Sequence, residues 1–536
     1  MTAPSTAAAP TSPEPDPERW WTLLAVCVAT LMLLLDVTVV NVALPDIGRD
    51  LKSSFSDLQW VIDAYALGLA ALLLTWGAIA DQIGRKKVFL IGVTGFTAAS
   101  LLCAVSPSPL VLNIARALQG FGGAAMFATS LALLASTFHG KERGTAIGLW
   151  GATTGAAVAV GPLVGGVLLE IANWHWIFLV NLPIGLFAAG VAMKTVKESK
   201  NPHGRGIDVP GAVTFSLALF LAIFALVRGN AEGWGSGVIV GSFVAAAVLL
   251  VAFVVVQRTS DKAMFDLSLF RNRSFVGVSI AAFSLSAGMF SLFLYITLWF
   301  QNGLGFTPLE AGLRFLSLTL LSFFMAPVAG RLSSRVSPGI LIGIGLTLVG
   351  VGVLTLRAVD GQSHWTAMLP GFILTGLGIG MTNPPLASTA VSVVDVRRAG
   401  MASGINSTFR QVGIATGTAA FGAAMAGLIE HHVHDRVVAL AGPAAAAHLP
   451  SGDALTQAPP ALIAHLPGGQ QTFLDAYTAS LDTIFLVAGI LALVSAAACA
   501  ALIRKADIER AAAQTAAMFA AQGAPPADAD AAPAAV

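Results

Sequence analysis

Three ionisable side chains stand where few are tolerated: Asp36, Asp63 and Arg116 each fall inside an apolar run long enough to cross a bilayer. Burying such ions in hydrocarbon is costly, so they must face one another or a wet cavity rather than lipid. At ~1.5 Å per residue, Asp36 lies about 22 Å into its run, roughly 8 Å below the far edge of an apolar layer about 30 Å thick. Arg116 and Asp63, entering from that far edge, reach depths of about 10 Å and about 8 Å, which puts all three at one level. An acid facing a guanidinium at that depth offers proton exchange, with Asp36 taking up and releasing a proton as its contact with Arg116 loosens and forms. The structural alternative is a fixed ion pair that never titrates. For Asp63 the alternative is plain hydration near the outer end of its span.

A second group of residues has the composition of a conformational hinge. GAIADQIGRKK, from Gly77 to Lys87, joins two apolar runs. Gly77 admits a neighbouring helix closely, and Gly84 permits the tight turn back into the membrane. Arg85, Lys86 and Lys87 hold that turn on the inner side, while Asp81 is placed to pair with a cation or face a helix N-terminus, a contact that breaks when helix bundles tilt. Read more plainly, the three cations only set topology. Further along, GPLVGG, from Gly161 to Gly166, combines Pro162, which removes a helix hydrogen bond, with Gly161, Gly165 and Gly166, which allow backbone contact with a facing helix. The expectation is a flexing interface between bundles, against passive packing of small residues. Arg314 and Arg410, the latter followed by Gln411, are polar sites in later spans. An arginine does not release its proton, so these tune acids, bind anionic groups or anchor bundles.

The elements that must position these residues are transmembrane helices. Hydrophobic residues make up 56% of the 536-residue chain and charged residues 11%, against about a quarter charged in ordinary soluble domains. Apolar runs of spanning length lie near 21–44, 58–80, 88–105, 109–137, 144–169, 174–193, 210–228, 235–256, 274–300, 308–330, 338–357, 365–391, 402–429 and 480–503, which makes fourteen. The runs are continuous rather than alternating, so they read as helices and not barrel strands. With the N-terminus inside, inner segments collect most of the 29 lysines and arginines, and the outer segments hold only Arg49, Lys52, Arg228, Arg357 and Arg436. Both termini are therefore expected in the cytoplasm and the chain in the plasma membrane. The net charge of +1 offers nothing to nucleic acid. Cys27, Cys103 and Cys499 lie in apolar runs without CxxC spacing, and the acidic first nineteen residues lack the basic start of a cleavable signal.

A weak internal repeat divides the chain. APVAGRLSSR, from Ala326 to Arg335, closes the tenth span as GAIADQIGR closes the second, with Ser333 or Ser334 where an acid is expected. The expected organisation is a disordered tail (1–19), a six-helix bundle (20–193), a basic linker (194–209) and two accessory spans (210–256). A cytoplasmic loop (257–273), a second six-helix bundle (274–503) and a tail (504–536) follow. Within the second bundle an outer segment, 430–479, is rich in Ala, Pro and Gly and reads as loosely ordered.

These motifs together resemble the major facilitator superfamily, and specifically its fourteen-span drug:proton antiporters. The similarity covers most of residues 20 to 503. LDVTVVNVALPDI (Leu35 to Ile47) is similar to the family's first-span motif, GAIADQIGRKK to its loop between spans two and three, and RALQGFGGAA (Arg116 to Ala125) to its fourth-span motif. GPLVGG resembles the antiporter pattern. WHWIFLVNLPIG (Trp174 to Gly185) resembles the entry to span six, with His175 where arginine is common, and INSTFRQVG (Ile405 to Gly413) a segment of span thirteen. The resemblance implies an all-α major facilitator fold of fourteen helices, proton coupling at Asp36 and Arg116, and a switching role for Asp81. The eroded second loop puts any symmetrical role for Arg331 and Arg335 in doubt.

Other classes fare less well. An ATP-driven pump needs GxxxxGK[ST], but the Gly140-Lys141 pair is followed by Glu142. A membrane enzyme with a metal site would have to use His431, His432 and His434 beside Glu430, a group without a second ligand set at suitable spacing. GLGIG, from Gly376 to Gly380, is buried in an apolar span, where it packs helices. Import of a specific metabolite by the same fold stays open. The expected activity is proton-driven export of small amphipathic organic molecules by alternating access, with no cofactor and no metal, the partners being substrate, protons and the lipid bilayer. A periplasmic adaptor protein is compatible with the sequence but not indicated by it.

Overall fold

In the computed structural model, residues 18–510 are described except 54, 139, 200–207, 261–262, 264, 266, 334, 360–363, 395–398, 448, 451–454 and 456–462, together with residue 513. No strand occurs among them. Fourteen long helices follow in order: α1 (Arg19–Asp50), α2 (Phe55–Ile83), α3 (Arg85–Ala104), α4 (Pro109–Thr137) and α5 (Gly140–Ile171). Next come α6 (His175–Thr195), α7 (Val209–Glu232), α8 (Gly237–Thr259), α9 (Arg273–Leu298) and α10 (Pro308–Leu332). The chain closes with α11 (Pro338–Thr355), α12 (Leu369–Ser392), α13 (Ala399–Ala441) and α14 (Gly469–Leu502). Thirteen segments are long and apolar enough to cross a membrane. The remaining long helix, α5, packs on α1, α10 and α12.

The packing is that of a many-span membrane protein built as two six-helix bundles with an inserted pair. In α1–α6, α4 lies against α2 and α3, and α1 against α5 and α6; in α9–α14, α11 joins α12 and α14, and α9 joins α13 and α14. The bundles meet along two seams, α5 with α10 and α2 with α13. The inserted pair, α7 and α8, pack on each other, and α7 lies against α2 and α13. Much of their outer surface is apolar and exposed, with Val213, Leu217, Val244, Val248 and Val251 all turned outward, as lipid contact requires.

Several sequence expectations change in detail. The segment 430–479 is helical at both ends: α13 runs on to Ala441 and α14 begins at Gly469. The helix persists because Ile429, Val433 and Val437 repeat every four residues and are fully buried against the second-bundle core, which also takes in Ala446, Leu455, Ile463 and Leu466. Arg436, expected in a loop, is therefore a helix residue paired with Asp475 of α14. Likewise α1 continues to Asp50 rather than ending near residue 44. The N-terminal tail up to residue 17, linker residues 200–207, Arg397, Arg398, Ser334 and nearly all of the tail beyond 510 lie outside the described residues.

Candidate functional site: a buried charge cluster and a sealed seam

Asp36 and Arg116 do meet, and they do so in a network that three further helices complete. Arg116 Nη1 donates to Asp36 Oδ2 at 2.5 Å and to Gln119 Oε1 at 2.7 Å. The second carboxylate oxygen, Oδ1, accepts from Gln119 Nε2 and from Asn181 Nδ2, each at 2.9 Å. Ser100 Oγ accepts from Gln119 Nε2 at 2.8 Å, and Val61 carbonyl accepts from Arg116 Nε at 2.9 Å. The guanidinium carbon stands 4.3 Å from the centre of the Tyr65 ring, whose hydroxyl donates to the Leu33 carbonyl. Asp36, Arg116, Gln119, Ser100 and Asn181 are no more than 1% exposed. A pair taken out of water this completely holds together only if its remaining lone pairs and protons find partners, and here α2, α4 and α6 supply them while Ser100 of α3 holds Gln119 in place. Sequence reasoning missed Gln119, Asn181 and Ser100. Gln119 shares a face with Arg116 by its i, i+3 spacing, which was the available signal.

The cluster has a testable structural consequence. Gln119→Leu, a change to an apolar side chain of similar size, removes both a donor to Asp36 and an acceptor from Arg116, leaving each buried group one hydrogen bond short. The expected loss is about 2 kcal/mol of stability, seen as a lower unfolding temperature of the purified protein in detergent.

Asp63 does not join the cluster, contrary to the sequence expectation. It follows Val61 by two residues on α2, and about 200° of helical rotation separates their side chains. Val61 faces Arg116, so Asp63 is turned the other way, toward α7, where Arg228 exerts an electrostatic influence on it. Arg228 in turn pairs with Glu232 at 2.8 Å and lies over the Trp60 ring at 5.6 Å. Asp63 is 6% exposed and its Oδ2 has no hydrogen-bond partner.

The hinge group lies at the face of the bundles where both described chain ends emerge, here the terminal face. Gly77 is buried in α2. Gly84, with φ of 121°, occupies backbone space that L side chains rarely adopt, and the turn it makes joins α2 to α3. Asp81 Oδ1 accepts from Arg85 Nε at 3.0 Å and from its Nη2 at 2.8 Å, while Oδ2 accepts from the backbone N–H of Met401 at 3.1 Å. That last bond crosses from the first bundle to the opening turn of α13, where unpaired helix N–H groups and the helix dipole favour a carboxylate. Lys86 Nζ donates to the Met193 carbonyl at 2.8 Å. Glu198, from the segment leaving α6, accepts from the N–H groups of Lys86 and Lys87 at 3.1 and 3.3 Å and so caps α3. Glu198 carried no signal in the sequence, because its partners are backbone groups more than a hundred residues away.

The seams are tight at this same face. A Cβ added to Gly144 of α5 would meet the carbonyl of Gly330 in α10 at 2.6 Å, and one on Gly148 would meet the Ala326 carbonyl at 3.1 Å. On the other seam, Gly404 of α13 abuts Leu73 and Leu74 of α2, and Ser403 Oγ donates to the Ala128 carbonyl of α4 at 3.5 Å. The GPLVGG segment faces both ways, toward α1 of its own bundle and toward α10 of the other. Gly161 and Gly165 share one helix face by i, i+4 spacing and lie against Thr38 and Val39 of α1, within the same bundle. Gly166, on the next face, approaches Leu309 of α10, with the nearest atom 3.8 Å from an added Cβ. Pro162 lies within the α5 helix.

In the second bundle, Arg410 Nη2 donates to Asn383 Oδ1 of α12 at 3.0 Å, and Gln411 is half-buried beside it. Arg314 Nη1 donates to the Glu310 carbonyl at 2.7 Å, and its guanidinium carbon lies 3.4 Å from the centre of the Phe306 ring and 5.3 Å from that of Trp365. Two of the three histidines face apart: His432 Nδ1 is 3.1 Å from Ser480 Oγ, while His431 Nε2 is 3.4 Å from Asp435.

Comparison with known proteins agrees with this architecture. Residues 26–418 match the model of the Major Facilitator Superfamily. The chain is 36% identical over 406 residues to the multidrug resistance protein Stp of Mycobacterium tuberculosis (strain CDC 1551 / Oshkosh), covering 76% of this chain and 75% of the relative. It is 32% identical over 501 residues to the tetracenomycin C resistance and export protein of Streptomyces glaucescens, covering 91% and 92%. Among solved structures, a proton:xylose symporter superposes with a TM-score of 0.59 at 12% identity, covering 89% of this chain and 94% of the other, a likeness of fold alone. With a family match across most of its length and relatives that share a third of its residues, the chain belongs to the Major Facilitator Superfamily and is a transporter rather than an enzyme.

Proposed function

We propose that the protein is a proton-driven exporter of amphipathic drugs and antibiotics that confers resistance, set in the plasma membrane with both chain ends in the cytoplasm. The observation that carries this reading is the fully buried Asp36, held between Arg116, Gln119 and Asn181. A carboxylate in that position is ionised at the expense of solvation, and a proton arriving there removes the charge that binds Arg116. The resistance and export activities named for the relatives support the choice of cargo.

With the chain ends inside, the tight seams and the Asp81 to Met401 bond close the inner side. Protonation of Asp36 from outside frees Arg116 and favours the inward-open state. Substrate binding from the inside then promotes release of the proton there, and the bundles rock back. Asp81 holds the inner gate in one state and lets go in the other, while Glu198 keeps the α2–α3 turn in shape as it moves.

Purified protein in liposomes tests this directly. An imposed pH gradient should drive tetracenomycin C against its own gradient, and adding drug should alkalinise or acidify the lumen in step. Equal drug flux with and without the pH gradient, and no proton movement coupled to drug, would sink the reading.

A further inference from the structure

Arg410 differs from the buried arginines of the first bundle in lacking an acid. Arg85 and Arg116 hold carboxylates at 2.8 and 2.5 Å, whereas among the described residues none forms an ion pair with Arg410. Its bond from Nη2 goes to a neutral amide, Asn383, which leaves the rest of the guanidinium fork open and the charge uncompensated. One turn earlier on α13, Asn406 is 4% exposed and its Nδ2 has no acceptor. Residues four apart share a helix side, so two donors without an acidic partner rise from the same part of α13.

Their position is as telling as their chemistry. Arg410 lies about 17 Å along α13 from Ala399, near mid-membrane. It is one heptad beyond Ser403, which touches α4 of the first bundle, and its partner Asn383 packs opposite Gly151 of α5, whose added Cβ would stand 3.7 Å from the Asn383 Cβ. The half-buried guanidinium therefore sits at the meeting of both bundles, directly beyond the contacts that close the terminal face. A cation there without a counter-ion repels cationic cargo and attracts anionic cargo, and its planar fork suits a carboxylate, sulfonate or phenolate.

We infer that Arg410, with Asn383 and Asn406, forms the anion-binding end of the substrate site, so that the preferred cargo is an aromatic organic acid. This deepens the exporter reading and rests on it. The remaining area of such a molecule is apolar and is left to the helix walls, while the acidic group fixes its orientation.

The test uses two dyes on one ring system, anionic fluorescein and cationic rhodamine 6G, bound at pH 7.5 to the purified full-length protein in nanodiscs. Wild type should bind fluorescein at least about tenfold more tightly, close to 1.4 kcal/mol. Arg410→Gln should cut that preference to below about twofold by weakening fluorescein without weakening rhodamine 6G, and Arg410→Lys should retain most of it, since the charge stays. Rhodamine 6G binding at least as tight as in wild type shows that the Gln variant is folded. Equal or inverted preference in wild type, no fluorescein binding at all, or a preference that survives Arg410→Gln overturns the inference. Equilibrium binding needs no gradient, so failure of the exporter reading shows separately, as wild-type liposomes that move neither dye when a pH gradient is imposed.

Discussion

Asp36→Asn abolishes coupled export: gradient-driven flux in liposomes should fall at least about 100-fold, equivalent to about 2.7 kcal/mol in rate. The amide keeps the shape of the carboxyl but neither binds nor releases a proton near neutral pH, so the charge on this site no longer depends on which side it faces. The packing cost is separate and smaller. All three groups around Asp36 are donors, from Arg116, Gln119 and Asn181, and an Asn side chain must turn its own NH2 toward one of them. That mismatch is worth about 1–3 kcal/mol of stability, enough to lower the unfolding temperature without unfolding the chain. The two effects are told apart by downhill exchange of drug with no pH gradient, which the variant should still perform. An Asp36→Asn protein that protects cells as well as wild type at every pH from mildly acid to mildly alkaline would remove Asp36 from coupling. Arg116→Gln behaves differently, because it strands a carboxylate in the dry interior at a cost of about 3–5 kcal/mol, and the expected result is loss of folded protein.

Gly144→Leu should trap the transporter with its terminal face open. The closed seam brings α5 and α10 together where a side-chain carbon on residue 144 meets the Gly330 backbone carbonyl at 2.6 Å, and the reciprocal contact from Gly330 to Gly144 is just as close. Backbone cannot rotate away as a flexible side chain does, so the helices must part. Overpacking of this kind costs about 1–3 kcal/mol, and all of it falls on the closed state, because the open state has no facing carbonyl. Each 1.4 kcal/mol shifts the balance about tenfold, so export should drop by about 10- to 100-fold. Thiol labelling of a cysteine placed at Ser403 reports the state: labelling should rise sharply in Gly144→Leu, whereas Gly144→Leu with closed-state labelling contradicts the seam geometry. Drug binding should persist, since residue 144 is far from Asp36 and Arg410 along their helices.

How much of this was legible beforehand depends on whether the signal was local. Helix number, order and apolar length follow from runs of residues that must satisfy their own backbone in lipid, so fourteen spans could be read without a fold. The Asp36 to Arg116 contact was also readable, because two opposite charges in hydrocarbon at equal depth have few other partners. Asp63 at the same depth illustrates the limit. Depth along a helix is a matter of counting, but the direction a side chain faces depends on how the helix is rotated in its bundle, and α2 turns Val61 to the cluster and Asp63 to the inserted pair. The GPLVGG segment meets the same limit, since small residues announce a close approach without naming the neighbour, which is α1 for Gly161 and Gly165 and α10 for Gly166. The 430–479 segment erred by composition: alanine, proline and glycine suggested disorder, while a sparse Ile429, Val433, Val437 stripe sufficed to carry α13 onward.

The sequence alone therefore determined a polytopic helical carrier, the level of its charges and the pairing of Asp36 with Arg116, because hydrophobic length and the cost of buried ions act residue by residue. Tertiary structure decided which groups touch: Gln119, Asn181 and Ser100 closing around Asp36, Asp81 reaching the start of α13, and Arg410 held by the Asn383 amide, with no acid paired to it among the described residues. Those contacts join positions up to 320 residues apart. They arise from helix rotation and bundle docking, which many weak packing contacts set collectively and no short stretch of sequence encodes.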